Sequence, residues 1–183
     1  VVLVLPTVSV LCACVLVRPA DWQLLWVRSI GFYGMVLLPV SLSVLASLVW
    51  RVEHQGSNGL VLMSIPVPTW RTVAAKATAA WLLAAVMQLV LVMAATAVGS
   101  LVLGLPGVLP SRYLVAGLLI AVACAPVCAV QSGLAAFTRS FAVPVATGLA
   151  LTGAGTTALL VHIPAAWLLP HALVTRTTQI GAT

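Results

Sequence analysis

The chain has 183 residues, of which 63% are hydrophobic and only 5% are charged. A soluble domain carries charge on about a quarter of its residues, so this composition excludes a soluble enzyme and a disordered tail. The eight basic residues give a net charge of +6, but they stand singly between apolar runs, which excludes a nucleic-acid binder. The mean hydropathy of +1.23 instead indicates a polytopic α-helical membrane protein.

Five apolar runs approach the length of about 20 residues that a membrane-spanning helix needs. They predict an all-α fold, a polytopic transmembrane helix bundle in which residues 1–183 form a single domain. Because the first run already begins at Val1, we expect a fragment that is truncated at both ends. The predicted spans are 1–17, 32–50, 77–103, 113–136 and 141–163.

The segments between the runs predict how the spans are connected. Residues 18–31 mix Trp, Arg and apolar residues, which predicts an interfacial loop or a short helix lying on the membrane. Pro39 predicts a kink within the second span. The Gly and Pro residues of 104–111 predict a tight turn, and the minimal loop 138–140 predicts an antiparallel hairpin of the fourth and fifth spans.

Small residues recur every four positions on the fifth span, at Ala146, Ala150 and Ala154. Such a stripe lets another helix approach closely, so we expect it to be the packing face of this span. The tail 164–183 contains Trp, His and Arg and shows no sixth span.

The chain has few side chains that could catalyse a reaction or bind a metal. The only two carboxylates, Asp21 and Glu53, lie at opposite ends of the second span, so a pair of acids for general acid–base catalysis is missing. Cys124 and Cys128 share a helix face without further ligands nearby, which favours helix packing over a metal site. The chain is therefore not expected to be an enzyme, and no catalytic, cofactor-binding or metal-binding residue is assigned.

The predicted spans contain no Asp, Glu, Lys or Arg, which argues against a proton-driven pump. Their main polar side chains are Gln88 and Gln131. These two residues are candidates for a substrate path. The alternative is that they are hydrogen-bond partners between helices.

One stretch resembles a known family. It contains Glu53-His54, then Leu62, then Pro66, and finally Lys76 at the start of the third span. This pattern resembles permease subunits of type-2 ABC exporters, in the branch that exports bacitracin-like and lantibiotic peptides and gives immunity to them. The resemblance covers essentially the whole chain, and three more motifs fit it: Phe32-Tyr33-Gly34, Leu37-Leu38-Pro39 and Trp167-Leu168-Leu169-Pro170.

The basic residues divide equally between the two sides of the predicted spans, so their count does not determine the orientation in the membrane. The resemblance implies an orientation. It implies six spans, both termini in the cytoplasm, residues 51–72 on the cytoplasmic side, and residues 18–31 and 164–176 on the outward side. The segment from Glu53 to Lys76 would then couple the permease to a separate ABC ATPase subunit, which binds ATP and Mg. The family commonly has Trp-Lys where this chain has Gly59-Leu60.

The resemblance also implies a function: export of an amphipathic peptide or hydrophobic drug across a bacterial plasma membrane, with a role in antibiotic resistance or lantibiotic immunity. The expected partners are the ATPase, a second permease copy or a homologous permease, the lipid bilayer and the substrate, but no nucleic acid. Two other functions stay open. One is a non-transporting scaffold whose loop recruits a soluble protein, and the other is a secondary carrier that works without ATP.

Glu53 itself has two candidate roles. It begins a short interfacial helix and favours the positive end of that helix, or it accepts hydrogen bonds from a cation of the ATPase. We expect the second role.

Overall fold

The protein is described from a computed structural model that covers residues 1–16, 18–54, 68–138, 140–164 and 166–179. These residues form helices and contain no strand. The seven α-helices of this part of the chain are α1 (Val4–Leu16), α2 (Trp22–Phe32), α3 (Leu38–His54), α4 (Thr69–Ala97), α5 (Ser111–Phe137), α6 (Ala142–Leu160) and α7 (Pro170–Gln179).

Four helical segments of the described chain are long and apolar enough to cross a membrane. They are Trp22–His54, Thr69–Val102, Ser111–Phe137 and Ala142–Leu160. The prediction of an all-helical bundle is therefore confirmed. Helix α1 corresponds to the first predicted span, but with 13 residues it is shorter than these four segments.

The prediction that residues 18–31 lie on the membrane is wrong. Helix α2 occupies most of this range, and it continues through a π-helical segment, Tyr33–Leu37, into α3 as one 33-residue rod. Asp21 caps the start of α2 by accepting a hydrogen bond from Leu24 N at 2.7 Å. Trp26 is fully buried, and its ring lies 5.1 Å from that of Tyr113 on α5. The aromatic residues of α2 thus pack against protein.

The irregularity predicted at Pro39 takes the form of the π-helical segment, which ends two residues before the proline. Proline has no N–H to continue the regular helical ladder, and a wider turn at this point accommodates the missing bond. The rod therefore passes the proline without ending.

The turn between α4 and α5 forms one end of the bundle. Its two glycines, Gly104 and Gly107, have φ values of 61° and 79°, a region that residues with a Cβ adopt at a strain penalty. Trp22 Nε1 donates a hydrogen bond to Pro106 O at 3.0 Å. The start of α2 is thereby attached to the turn, opposite the end where α3 meets α4.

Helix α6 packs through a different face from the predicted one. Ala146, Ala150 and Ala154 are exposed in this chain. The helix packs mainly against α3 and α7 and only a little against α5, although a short turn connects it to α5. The buried face is Pro144, Gly148, Thr152, Gly155 and Ala158.

Helix α7 packs inside the bundle, and the outward side of the membrane for residues 164–176 stays a prediction. His171 is 2% exposed, and Gly155 of α6 lies so close that a Cβ there would be 3.0 Å from Ala172 N. Near the other end of α7, Thr178 contacts Gly34. These contacts place the start of α7 against α6 and its end against the π-helical segment. Its described part has 10 residues.

Candidate functional site

Three of the predicted coupling residues meet where α3 ends and α4 begins, which we call the loop end of the bundle. Glu53 lies in the last turn of α3 and Lys76 in the second turn of α4. Lys76 Nζ is 2.9 Å from Glu53 Oε1, and the side chains are 16% and 21% exposed. The ion pair therefore joins the two helices that flank residues 55–67.

Lys76 also has partners other than Glu53. Its Nζ donates to Val49 O at 2.9 Å and lies 5.1 Å from the centre of the Trp50 ring. A lysine near the carbonyl end of a helix is stabilised by the negative end of the helix dipole. Lys76 thus offsets the unfavourable position of Glu53 in the last turn of α3.

His54 joins the same end of α3 to α5. Its Nε2–H donates to Ala135 O at 2.8 Å, since a carbonyl oxygen only accepts. The imidazole stacks on Trp50 with 6.1 Å between ring centres. We call Trp50, Glu53, His54 and Lys76 the loop-end cluster, and it connects three helices.

Leu62 and Pro66, the other two predicted coupling residues, lie outside the described residues. Glu53 does not begin a helix, as one of its candidate roles required, because it is the second-last residue of α3. A hydrogen bond to Glu53 from an ATPase cation stays a prediction. The structure shows that Glu53 already has a cation within its own chain.

The two predicted substrate-path residues, Gln88 and Gln131, are buried at separate places. Gln88 Nε2 donates to the Tyr33 hydroxyl at 3.3 Å, and Gln131 Nε2 lies 3.3 Å from His171 Nε2. The Oε1 atom of each glutamine is buried and has no hydrogen-bond partner among the described residues. Both side chains therefore form bonds between helices and still have an acceptor free.

Gln131 belongs to a group that we call the mid-bundle cluster, which consists of Ser43, Gln131, Gly148 and His171. A Cβ on Gly148 would overlap Ser43 and come within 3.0 Å of Gln131 Nε2. Burial lowers the pKa of His171, which favours the neutral imidazole, and its Nε2 accepts the hydrogen of Gln131 Nε2 because an amide nitrogen only donates. The cluster joins α3, α5, α6 and α7 without a charged group.

A crevice of about 400 Å³ opens at the loop end between α3, the end of α5 and the start of α6. Its wall contains no carboxylate among the described residues. The lining residues are Ser47, Trp50, Arg51, His54, Ala135, Thr138, Ser140, Phe141 and Pro144. A second cavity of about 210 Å³ lies near the opposite end and is lined in part by Met35, His162 and Gln179.

The family model of the ABC-2 family transporter protein matches residues 1–155. The chain belongs to this family. No curated protein and no solved structure matches the chain. As a member of the ABC-2 transporter family, the chain is a membrane permease component of an ABC transporter, a multi-pass transport subunit that works with an ABC ATPase.

Trp50 and His171 are central to the two clusters of this ABC-2 permease, and the sequence predicted neither of them as a site residue. Trp50 lies four residues before His54, and this spacing places the two side chains on one face of a helix. The sequence spacing alone could therefore have predicted their contact. No local pattern predicts the contact between His171 and Gln131, because the two residues are 40 positions apart on different helices.

Proposed function

We propose that the chain is the permease subunit of an ATP-driven exporter of an amphipathic peptide or a hydrophobic drug, in the bacitracin and lantibiotic branch of the family. It would act in a bacterial plasma membrane with a second permease copy or a homologous permease. The match to the ABC-2 family and the Glu53-His54 and Lys76 pattern support this proposal. ATP and Mg would bind to the separate ATPase subunit.

The observation that carries the proposal is the Glu53–Lys76 ion pair at 2.9 Å. It lies at the two ends of the segment 55–67, which we propose as the contact with the ATPase. A segment between two helices transmits a displacement to both only if its junctions with the helices are rigid. The ion pair stabilises both attachments, and the bond from His54 to Ala135 O extends this stabilisation to α5.

Gln88 and Gln131 remain our candidates for the substrate path. Each has a buried Oε1 that accepts no hydrogen bond within the described residues. A peptide N–H that passes between the helices would be a suitable donor for these oxygens. The mid-bundle cluster would then separate and reform during transport.

The test is substrate-stimulated ATP hydrolysis by the permease reconstituted with its ATPase in vesicles. Glu53→Gln and Lys76→Gln should each reduce the stimulation by about fivefold or more, the factor that about 1 kcal/mol of lost coupling gives. Basal hydrolysis and membrane insertion should stay unchanged. The double swap Glu53→Lys with Lys76→Glu restores the attraction and should recover part of the stimulation.

Asp21→Asn is the matched control, because it removes the other carboxylate at the opposite end of the bundle. It should leave the stimulation intact. Normal stimulation in both single variants at the loop end would show that the ion pair has no part in coupling. Stimulation that is absent from the unmodified complex, together with transport that collapses on adding an ionophore, would favour the secondary carrier.

A further inference from the structure

Two residues that line the loop-end crevice have side-chain donors without an acceptor among the described residues. Trp50 is 5% exposed, and its buried Nε1 has no acceptor among the described residues. Arg51 is exposed and has no hydrogen bond, ion pair or ring contact within the same part of the chain. An indole N–H and a guanidinium donate hydrogen bonds but cannot accept them. Both therefore fit a ligand that brings acceptors.

The charge of the crevice indicates the sign of that ligand. Among the described residues that line the crevice, Arg51 is the one with a permanent charge, and none is acidic. The nearest carboxylate described above, that of Glu53, is already occupied by Lys76. A guanidinium with free donors binds phosphate or carboxylate oxygens in a bidentate manner. The crevice thus suits an anion.

The remaining lining residues indicate that the anion is attached to an apolar group. Ala135, Phe141 and Pro144 line the crevice beside the donors, and Phe141 is 46% exposed. The crevice lies at the ends of three candidate spans, at the depth where Trp and Arg side chains meet lipid headgroups. A volume of about 400 Å³ holds a glycerophosphate group, and an acyl chain would extend along the apolar surface.

We propose that the loop-end crevice binds the phosphate headgroup of an anionic phospholipid, with Arg51 and the Trp50 indole as donors. This site goes beyond the proposed export function and does not depend on the identity of the transported substrate. The lipid would contact Trp50 and His54, which also belong to the loop-end cluster. Lipid binding would therefore change the contacts of the side chains that hold the two ends of segment 55–67.

The experiment uses the full-length permease, purified in detergent without its ATPase and titrated with dioleoyl-phosphatidylglycerol. Bound lipid is counted by native mass spectrometry. Arg51→Gln should weaken the first binding event by about tenfold, which corresponds to the loss of one charge-assisted bond. Arg71→Gln is the matched control, because Arg71 is an exposed arginine at the same end but outside the crevice. It should leave this binding unchanged.

A second variant keeps the charge and fills the space. Ser140→Phe places a large side chain in the crevice wall and should also weaken binding, while its elution and thermal transition match those of the unmodified protein. Weaker binding in a variant that folds like the unmodified protein supports the site, even if the other variant folds poorly.

Several results would overturn the proposal. Equal binding of dioleoyl-phosphatidylcholine would show that net negative charge is not recognised. Displacement of the lipid by inorganic phosphate at matched ionic strength would indicate a site for a soluble anion. Equal loss in Arg71→Gln would indicate unspecific attraction. Unchanged lipid binding in Arg51→Gln, together with weaker retention of the ATPase in a separate co-purification, would make the crevice a protein docking site. Because the ATPase is absent from the titration, failure of the export proposal leaves this test unaffected.

Discussion

The loop-end cluster and the mid-bundle cluster connect helices by different means. The loop-end cluster uses an ion pair whose side chains are 16% and 21% exposed. The mid-bundle cluster contains no charge, and it is so tightly packed that Gly148 leaves no space for a Cβ beside Ser43. Charge attracts over a distance and tolerates small displacements, whereas packing does not. The loop end is therefore suited to transmit motion, and the middle of the bundle to define discrete arrangements.

This comparison predicts the largest loss of stability at Gly148. Gly148→Ala adds a methyl group that overlaps Ser43 and comes within 3.0 Å of Gln131 Nε2. Overpacking of this kind should lower the free energy of unfolding by about 3 kcal/mol. The measurement is unfolding of the purified permease in mixed detergent with increasing sodium dodecyl sulfate.

Gly153→Ala is the matched control on the same helix. No atom lies within 4 Å of a Cβ at this position, so the substitution meets open space. Since alanine is a better helix former than glycine, the variant should be as stable as the unmodified protein or up to about 1 kcal/mol more stable. An equal loss in both variants would mean that glycine is required throughout α6, and the tight contact with Ser43 would not be the reason.

A smaller loss is expected where the mid-bundle cluster loses a hydrogen bond instead of space. Gln131→Leu removes the donor to His171 and leaves a buried imidazole nitrogen without a partner. An unpaired buried polar group of this kind lowers the free energy of unfolding by about 1–3 kcal/mol. The same denaturation experiment measures it.

The double variant Gln131→Leu with His171→Leu tests whether the bond itself matters. When both partners are replaced by apolar groups, no unpaired polar atom remains. The double variant should therefore be less destabilised than the sum of the two single variants. Strict additivity would show that the two side chains do not depend on each other.

The two clusters also differ in how far the sequence predicts them. Glu53, His54 and Lys76 were assigned to one site from a family pattern, and the structure brings all three together at the loop end. The mid-bundle cluster was only half predicted. Gln131 was a candidate, but its contact with His171 was not predicted, because hydropathy cannot distinguish a short helix inside a bundle from one outside it.

Residues 18–31 and the face of α6 were mispredicted for related reasons. Tryptophan has an apolar ring and a polar N–H, so a membrane interface and a protein interior with an acceptor suit it equally. Trp22 finds its acceptor at Pro106 O, 84 residues away, and no local pattern signals that contact. On α6, small residues occupy both the exposed stripe at Ala150 and the buried stripe at Gly148. Lipid accepts small apolar residues as readily as another helix does.

The smallest effect on stability is expected at the Glu53–Lys76 ion pair. Ion pairs with this partial exposure contribute about 0.2–1 kcal/mol, because water and salt screen the attraction. A double-mutant cycle of Glu53→Gln and Lys76→Gln should give a coupling energy in this range in the same denaturation experiment. The value should fall at 1 M salt, where the screening length is about 3 Å.

Lys76→Gln should be the more harmful single change in this cycle, because it also removes the bond to Val49 O and the contact with the Trp50 ring. The cycle subtracts these contributions and isolates the pair. A coupling energy above about 2 kcal/mol that is insensitive to salt would place the pair among buried interactions. The loop-end cluster would then not tolerate displacement better than the mid-bundle cluster, and the comparison between the two would be wrong. A small, salt-sensitive value with a large loss of ATPase stimulation would mean that the pair serves coupling more than folding.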